Sequence, residues 1–265
     1  MSDSISLSVI VPSLNEERNL RRTIDNLVPV LEEKVGDWEI ILVNDGSIDH
    51  TGSLSDELSR KEPRIKVIHH RQRQGLGSCW KDGVRTATKD AVVWFPGDGE
   101  NDPHELVKYL FLLKYVDMVV PYITNRDVRP WYRRFLSRAY LWVINLSFGT
   151  MLSYITGNVL YRRYIFDVVK PEADGFFTLT ECPIKALCAG FTYAQVPEQL
   201  GRRQYGRSTI LTPRSIMTII WEYLRLFIAI HFRRKTRHLA ETAKAHGEGA
   251  SIYNIRATDL SRGLK

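Results

Sequence analysis

The sequence predicts an α/β domain built on a doubly wound, mostly parallel sheet, and three observations carry that expectation. Short β-branched apolar runs alternate with segments of helical period through residues 1–125. Each apolar run closes on a cluster of polar, turn-forming residues. The chain has 265 residues, 44% apolar and 25% charged, which suffices for one well-buried core. That composition excludes collagen-like, disulfide-scaffold and wholly disordered chains.

Ile5–Val11 is β-branched and bounded by Pro12, as a buried parallel strand would be. Ser13 with Glu16 reads as a capping box for a helix carrying Ile24, Leu27, Val28 and Leu31 at helical spacing. Trp38–Val43 is the second strand, closed by Asn44–Asp45–Gly46–Ser47. A helix over Thr51–Arg60 and a strand over Ile65–His69 follow. Gly75–Leu76–Gly77 opens a helix ending near Thr88, and Ala91–Phe95 is the next strand. Pro103–Lys114 reads as helical, with Asp102 as its N-cap, and Asp117–Tyr122 as extended. His69–His70 reads as a strand end.

Ligands of such sheets bind beyond the carboxyl ends of the strands. The candidates there are Ser13, Asn15, Glu16, Asn44, Asp45, Gly46, Asp98 and Glu100. No G-x-G-x-x-G follows the first strand and no P-loop is present, so the usual dinucleotide and NTPase folds are excluded. The run Pro96–Gly97–Asp98–Gly99–Glu100 is the most informative. In an extended segment, Asp98 and Glu100 would share a face and could hold a divalent cation with a diphosphate.

Charge divides the chain. Residues 1–125 carry 20 Asp and Glu against 15 Lys and Arg, whereas residues 126–265 carry 10 against 22. The basic half is interleaved with aromatic residues: Arg126, Arg129, Arg133, Arg134 and Arg138 lie among Trp131, Tyr132 and Phe135. Ala139–Tyr161 then runs without a charge. An interfacial amphipathic helix over 131–150 fits this pattern, with arginines at the headgroups. Pro213–Arg233 is a second such helix, because Glu222 and Arg225 would be costly at a bilayer centre. The apolar interleaving speaks against nucleic acid as the partner. Cys79, Cys182 and Cys188 show no metal or disulfide spacing and suit a reducing compartment. The run Ile5–Val11 is too short for a signal peptide. The expected location is the cytoplasmic face of a membrane, with peripheral attachment.

Several motifs in order resemble the inverting family 2 glycosyltransferases of GT-A fold, in their dolichyl-phosphate mannose synthase-like branch. Ser8–Val9–Ile10–Val11–Pro12–Ser13–Leu14–Asn15–Glu16 resembles that family's first strand and nucleoside-contacting turn, with Leu14 in place of the usual Tyr. Val43–Asn44–Asp45–Gly46–Ser47 resembles its Asp-Asp-Gly-Ser turn, and Gly75–Leu76–Gly77 its Gly-Leu-Gly. Pro96, Asp98 and Glu100 stand at its metal-binding positions, the first carboxylate being lost to proline. Thr156–Gly157–Asn158 with Tyr161–Arg162–Arg163 resembles Ser-Gly-Phe…Tyr-Arg-Arg. Val196–Pro197 with Arg203–Gln204–Tyr205–Gly206–Arg207–Ser208 resembles the Val-Pro…Arg-x-x-Gly-x-Ser loop, with Thr209 replacing Lys.

The resemblance implies transfer of a sugar, with inversion, from a GDP- or UDP-sugar to a polyprenyl phosphate. Arg126 with Arg133 or Arg134 would hold the acceptor phosphate, and Arg203 would contact phosphates. Asp98 and Glu100 would hold Mg²⁺ or Mn²⁺. It also implies a single transferase domain over 1–235, with a nucleotide-sugar half at 1–125, an acceptor half at 126–235 and a basic, flexible tail at 236–265. Membrane subunits or a homo-oligomer are expected partners. Two alternatives stay open at this point: a saccharide hydroxyl acceptor with Glu181 as base, and a catalytically silent nucleotide-sugar-binding protein, motivated by Pro96 and Leu14.

Overall fold

Among the described residues, seven strands form one sheet in the order β3-β2-β1-β4-β6-β5-β7. They are β1 (Leu7–Ser13), β2 (Trp38–Asn44), β3 (Ile65–His69), β4 (Ala91–Trp94), β5 (Met118–Ile123), β6 (Leu160–Arg162) and β7 (Tyr193–Glu198). The structure is a computed structural model that describes residues 5–99, 101–125, 131–199 and 212–232, without the side chains of Arg133, Pro213 and Arg214. The neighbours β1–β2, β1–β4, β2–β3 and β5–β7 are parallel, and β6 runs antiparallel to β4 and β5. The sheet is therefore mostly parallel, as the alternating pattern predicts.

Every residue of β1 and β2 is buried, which explains their nearly unbroken apolar runs. Alternate β1 residues serve opposite layers. Val9 and Val11 pack toward Leu27 and Leu31 of α1 (Leu20–Lys34). Ile10 packs with Trp80 of α3 (Leu76–Thr86), and α2 (Thr51–Lys61) precedes β3. A polar pair at this depth is satisfied: Ser8 donates to Glu39 at 2.6 Å, and Glu39 also meets Lys66 at 2.6 Å.

Three expectations are corrected. The first strand continues through Pro12, because β4 pairs with β1 only over Leu7–Ile10 and the absent proline N–H removes no ladder bond beyond it. Ser13 is the last residue of that strand rather than a helix cap. The helix α1 starts at Leu20, and Glu16 instead accepts from the Asn19 side chain at 2.7 Å. Pro103–Lys114 divides into α4 (Pro103–Val107) and a 3-10 turn, Leu110–Lys114, which stacks the buried Leu110 and Leu113. Asp102 does cap α4, accepting from the His104 amide at 2.9 Å.

The second half adds α5 (Trp131–Phe148), α6 (Ile165–Val168), α7 (Thr178–Cys188) and α8 (Pro213–Phe232). Helices α5 and α8 pack together: the Ser147 and Tyr223 hydroxyls lie 2.7 Å apart, and Phe148 meets Tyr223, Phe227 and His231. Their other faces expose Trp142, Leu146, Met217, Trp221 and Phe232. By length and composition alone, Ser215–Phe232 could cross a membrane. In this fold one of its interrupting charges turns inward, Glu222 being 7% exposed, while Arg225 pairs with Glu172 at the partly exposed flank of the helix. The tail from residue 233 onward lies outside the described residues.

Candidate active site

The polar turns after β1 and β2 are tied to each other. Asp45 N–H donates to the Ser13 carbonyl at 2.9 Å, Asn15 N–H to Ser47 Oγ at 3.0 Å, and Ile48 N–H to Asn15 Oδ1 at 3.0 Å. Asn15 sits at φ 56°, a left-handed conformation that asparagine tolerates. The Asn44 side chain accepts from Ser47 N–H at 3.2 Å and lies 3.1 Å from His69 Nδ1. Glu16, half-buried, donates its own amide to Thr51 at 2.8 Å.

Asp45 is buried and aims its carboxylate inward. Oδ1 accepts from Gln74 N–H at 2.8 Å and Oδ2 from Gly75 N–H at 2.9 Å, so it anchors the loop that leads into α3. Its Oδ1 also lies 2.8 Å from His70 Nδ1, and His70 Nε2 lies 3.1 Å from Asp82. Asp45, His70 and Cys79 place three ligand-type atoms within 4.8 Å of one another. Those atoms are nevertheless committed to the protein. The carboxylate is spent on two amides and an imidazole, and burial pushes the Cys79 thiol well above its usual range. The cluster therefore reads as a loop anchor.

The start of α3 rests on a distant segment, residues 172–175. Gly77 N–H donates to the Asp174 carbonyl at 2.8 Å, Ser78 Oγ to the Asp174 carboxylate at 3.2 Å, and Lys81 pairs with that carboxylate. A Cβ on Gly77 would stand 2.1 Å from the Ala173 carbonyl oxygen, so only glycine permits this approach. Gly75, at φ 99°, meets the Asp174 carbonyl in the same way. The Gly75 and Gly77 amides are thus engaged within the protein. Among the described residues, the Leu76 and Ser78 amides have no such partner, and free amides at a helix N-terminus are the kind that can meet an anion.

After β4 the chain does not stay extended. Residues 97–98 turn and Gly99 takes φ 72°, which corrects the expectation that Asp98 and Glu100 share a face by strand alternation. Glu100 itself lies outside the described residues. Asp98 is half-buried at this turn, whose backbone is fixed by Thr23 donating to the Gly97 carbonyl at 3.2 Å. The hydroxyl of Ser13, buried beside Gly97, has no hydrogen-bond partner among the described residues. One hard carboxylate on a fixed turn, at the sheet edge that also carries the α3 amides, suits a Mg²⁺-like ion that takes its remaining ligands from phosphate and water.

Because β6 is reversed, its leading end reaches the same edge. Asn158, 8% exposed, donates to Asn101 Oδ1 at 2.9 Å and lies 3.4 Å from Glu198 at the end of β7. Burial, aided by the Glu105 charge, pushes the Glu198 carboxyl up to about 7. The sequence pattern passed over Glu198 and read His70 as no more than a strand end; a buried acid ending an unrecognised strand leaves no periodic signal.

Against known proteins, the profile described as Glycosyl transferase family 2 matches residues 8–169, more than half of the chain. The chain belongs to glycosyl transferase family 2. This transferase is 28% identical over 213 residues to the polyprenol monophosphomannose synthase of Mycolicibacterium smegmatis, covering 76% of this chain and 79% of that protein. It is 28% identical over 268 residues to the dolichol-phosphate mannosyltransferase of Pyrococcus furiosus, covering 97% and 69% respectively. An undecaprenyl-phosphate mannosyltransferase of Micrococcus luteus is 26% identical over 215 residues, covering 75% and 85%. The glucosyl-3-phosphoglycerate synthase of Mycobacterium tuberculosis, solved with Mn²⁺, UDP and phosphoglyceric acid, superposes with a TM-score of 0.62 at 20% identity. That match covers 84% of this chain and 78% of the other, and it establishes the GT-A-like fold.

The arginines expected to hold phosphate, and those of the Tyr161–Arg162–Arg163 motif, fall unevenly in the transferase. Arg126 and Arg203 lie outside the described residues, as does the Arg133 side chain. Arg134 is half-buried on α5. Arg162 and Arg163 serve the opposite sheet edge, donating to the Leu113 and Lys89 carbonyls at 2.9 and 3.0 Å. Glu181, the candidate base for a hydroxyl acceptor, is also committed: it accepts from the Glu172 and Ala173 amides and pairs with Lys185 at 2.6 Å.

Proposed function

We propose that this transferase moves a sugar from a nucleotide-diphosphate sugar, either GDP-mannose or a UDP-sugar, onto a polyprenyl phosphate, inverting the anomeric carbon. The observation that carries the reading is the exposed apolar face of α5 and α8, joined to the domain whose sheet edge gathers Asp45, Asp98 and the α3 N-terminus. The names of the polyprenyl-phosphate mannosyltransferase relatives support it.

In this reading Pro12, Ser13, Asn15, Glu16 and Asn44 form the nucleoside end, and Asp45 fixes the loop carrying Gly75 and Gly77. The diphosphate meets the first turn of α3. Asp98, with Glu100, would hold Mg²⁺ or Mn²⁺, and that ion would supply charge neutralisation to the leaving diphosphate. The acceptor phosphate is already ionised near neutral pH, so no side chain need remove a proton from it. Arg126, Arg133 and Arg134 bring it into line with the anomeric carbon, and Arg203 offsets the donor charge. The protein's task is to hold two anions together that would otherwise repel. Attachment is peripheral, through α5 and α8, on the cytoplasmic side, where three free cysteines are at home. Residues 1–235 act as one domain, and a membrane subunit or a second copy would complete the assembly.

The test is transfer of labelled sugar from GDP-mannose and a UDP-sugar panel to polyprenyl phosphate, with and without chelator. Transfer that chelator stops is expected. No transfer from any donor, with metal and lipid present, refutes the reading.

A further inference from the structure

The segment under the α3 N-terminus is gripped by carboxylates from two different helices. From α7, Glu181 accepts the Glu172 amide at 3.0 Å and the Ala173 amide at 2.8 Å. From α8, Glu222 Oε1 accepts the Asp174 and Gly175 amides, each at 3.2 Å. The four consecutive amides of residues 172–175 are thus all spent on side chains remote in sequence. On its other side the same segment supports α3, through Gly77, Ser78 and Lys81.

The position of Glu222 is unusual for its helix. It lies on a strongly apolar stretch, 7% exposed, with Oε2 lacking any partner among the described residues. A carboxylate in that setting is costly unless its bonds are specific. On other faces of the same turn, Trp221 and Leu224 are 61% and 48% exposed. A single helix therefore carries the outward apolar face and the grip on residues 174–175.

We propose that Glu222 is a positioning residue through which the seating of α8 on a membrane surface sets the geometry of the donor end of the cleft. This rests on the reading above, in which the first turn of α3 meets the donor diphosphate and α5 with α8 face the bilayer. The connection is short: α8 to Glu222, Glu222 to residues 174–175, and these to the Gly77 amide. Seating α8 fixes Glu222, and the segment beneath α3 is held in the arrangement that receives the diphosphate. The coupling acts on donor affinity.

The experiment uses the full chain, with GDP and UDP each titrated in Mn²⁺ by calorimetry. Titrations are run without and with vesicles of phosphatidylglycerol and phosphatidylcholine. The wild type is expected to bind its nucleotide about tenfold more tightly with vesicles, within the ordinary span of coupling between sites. Glu222→Leu is expected to co-sediment with vesicles yet lose that tightening, and Glu222→Gln, which keeps an acceptor oxygen, to recover most of it. Hydrogen exchange on the wild type supplies a readout independent of any variant's folding: the amides of residues 172–178 should slow when vesicles are added. Equal tightening in Glu222→Leu and wild type, or unchanged exchange at 172–178 on vesicle binding, overturns the proposal. A wild type that binds neither nucleotide under any condition instead refutes the donor reading itself, and the proposal falls with it.

Discussion

Glu198→Gln should make stability less sensitive to pH, and the size of the effect follows from the surroundings of the carboxyl. Glu198 is 8% exposed, its nearest described donor is Asn158 at 3.4 Å, and Glu105 adds a like charge nearby. Its carboxyl is raised from 4.5 to about 7. The folded state thus holds this proton more tightly than the unfolded chain. That contribution is whole below about pH 4.5 and is lost as pH rises to about 7, beyond which the penalty is constant. At 1.36 kcal/mol per pKa unit, the full penalty is about 3 kcal/mol, of which about 2.5 kcal/mol develops between pH 5 and pH 8. Glutamine removes it while keeping the side-chain shape. Thermal unfolding in chelator at both pH values is the assay. The variant should match wild type closely at pH 5 and exceed it by roughly 5–10 °C at pH 8. Adding Glu105→Gln to the wild type should narrow the gap. A gap that is the same at both pH values would refute the argument.

Gly77→Ala drives a methyl into the Ala173 carbonyl; a loss of about 1–3 kcal/mol in stability and weaker nucleotide binding are expected from urea titration and calorimetry. Glu181→Gln separates clamp from base: loss of a general base costs 10²–10⁴ in kcat, whereas loosening residues 172–173 should cost about 1–3 kcal/mol of stability and less than tenfold in kcat. Trp142→Glu with Leu146→Glu, at positions 66% and 69% exposed, should abolish co-sedimentation with anionic vesicles and leave the melting temperature within a few degrees.

The strands β1, β2 and β4 were legible because they are parallel and buried on both faces, which compels continuous apolar runs, and the half-buried edge strand β3 was legible from its β-branched residues between polar turns. The strand β6 has three residues, and it lies inside a stretch whose apolar density also fits a helix. In β7, Pro197 interrupts the pattern, tolerated because this strand is at the sheet edge. At the site, Asp45 and Asp98 announced themselves by ending strands. The direction of the Asp45 carboxylate did not, since it is set by amides 29 and 30 residues away. Residues 172–175 carried no motif at all. Their importance comes from carboxylates 8 and 48 positions distant, and no local window contains that information.

The reversal of β6 has an evolutionary consequence. In a sheet of strictly parallel strands, only residues that follow strands can reach the ligand edge, and loops that precede them drift without penalty on the far side. One inverted strand breaks that division of labour. The connection from α5 into β6 delivers Asn158 to the cleft before the strand begins. Length changes in that connection are therefore felt at the cleft, even though they arise next to the helix that faces outward. Lineages that adapted this helix to a new surface would have altered the cleft wall in the same step.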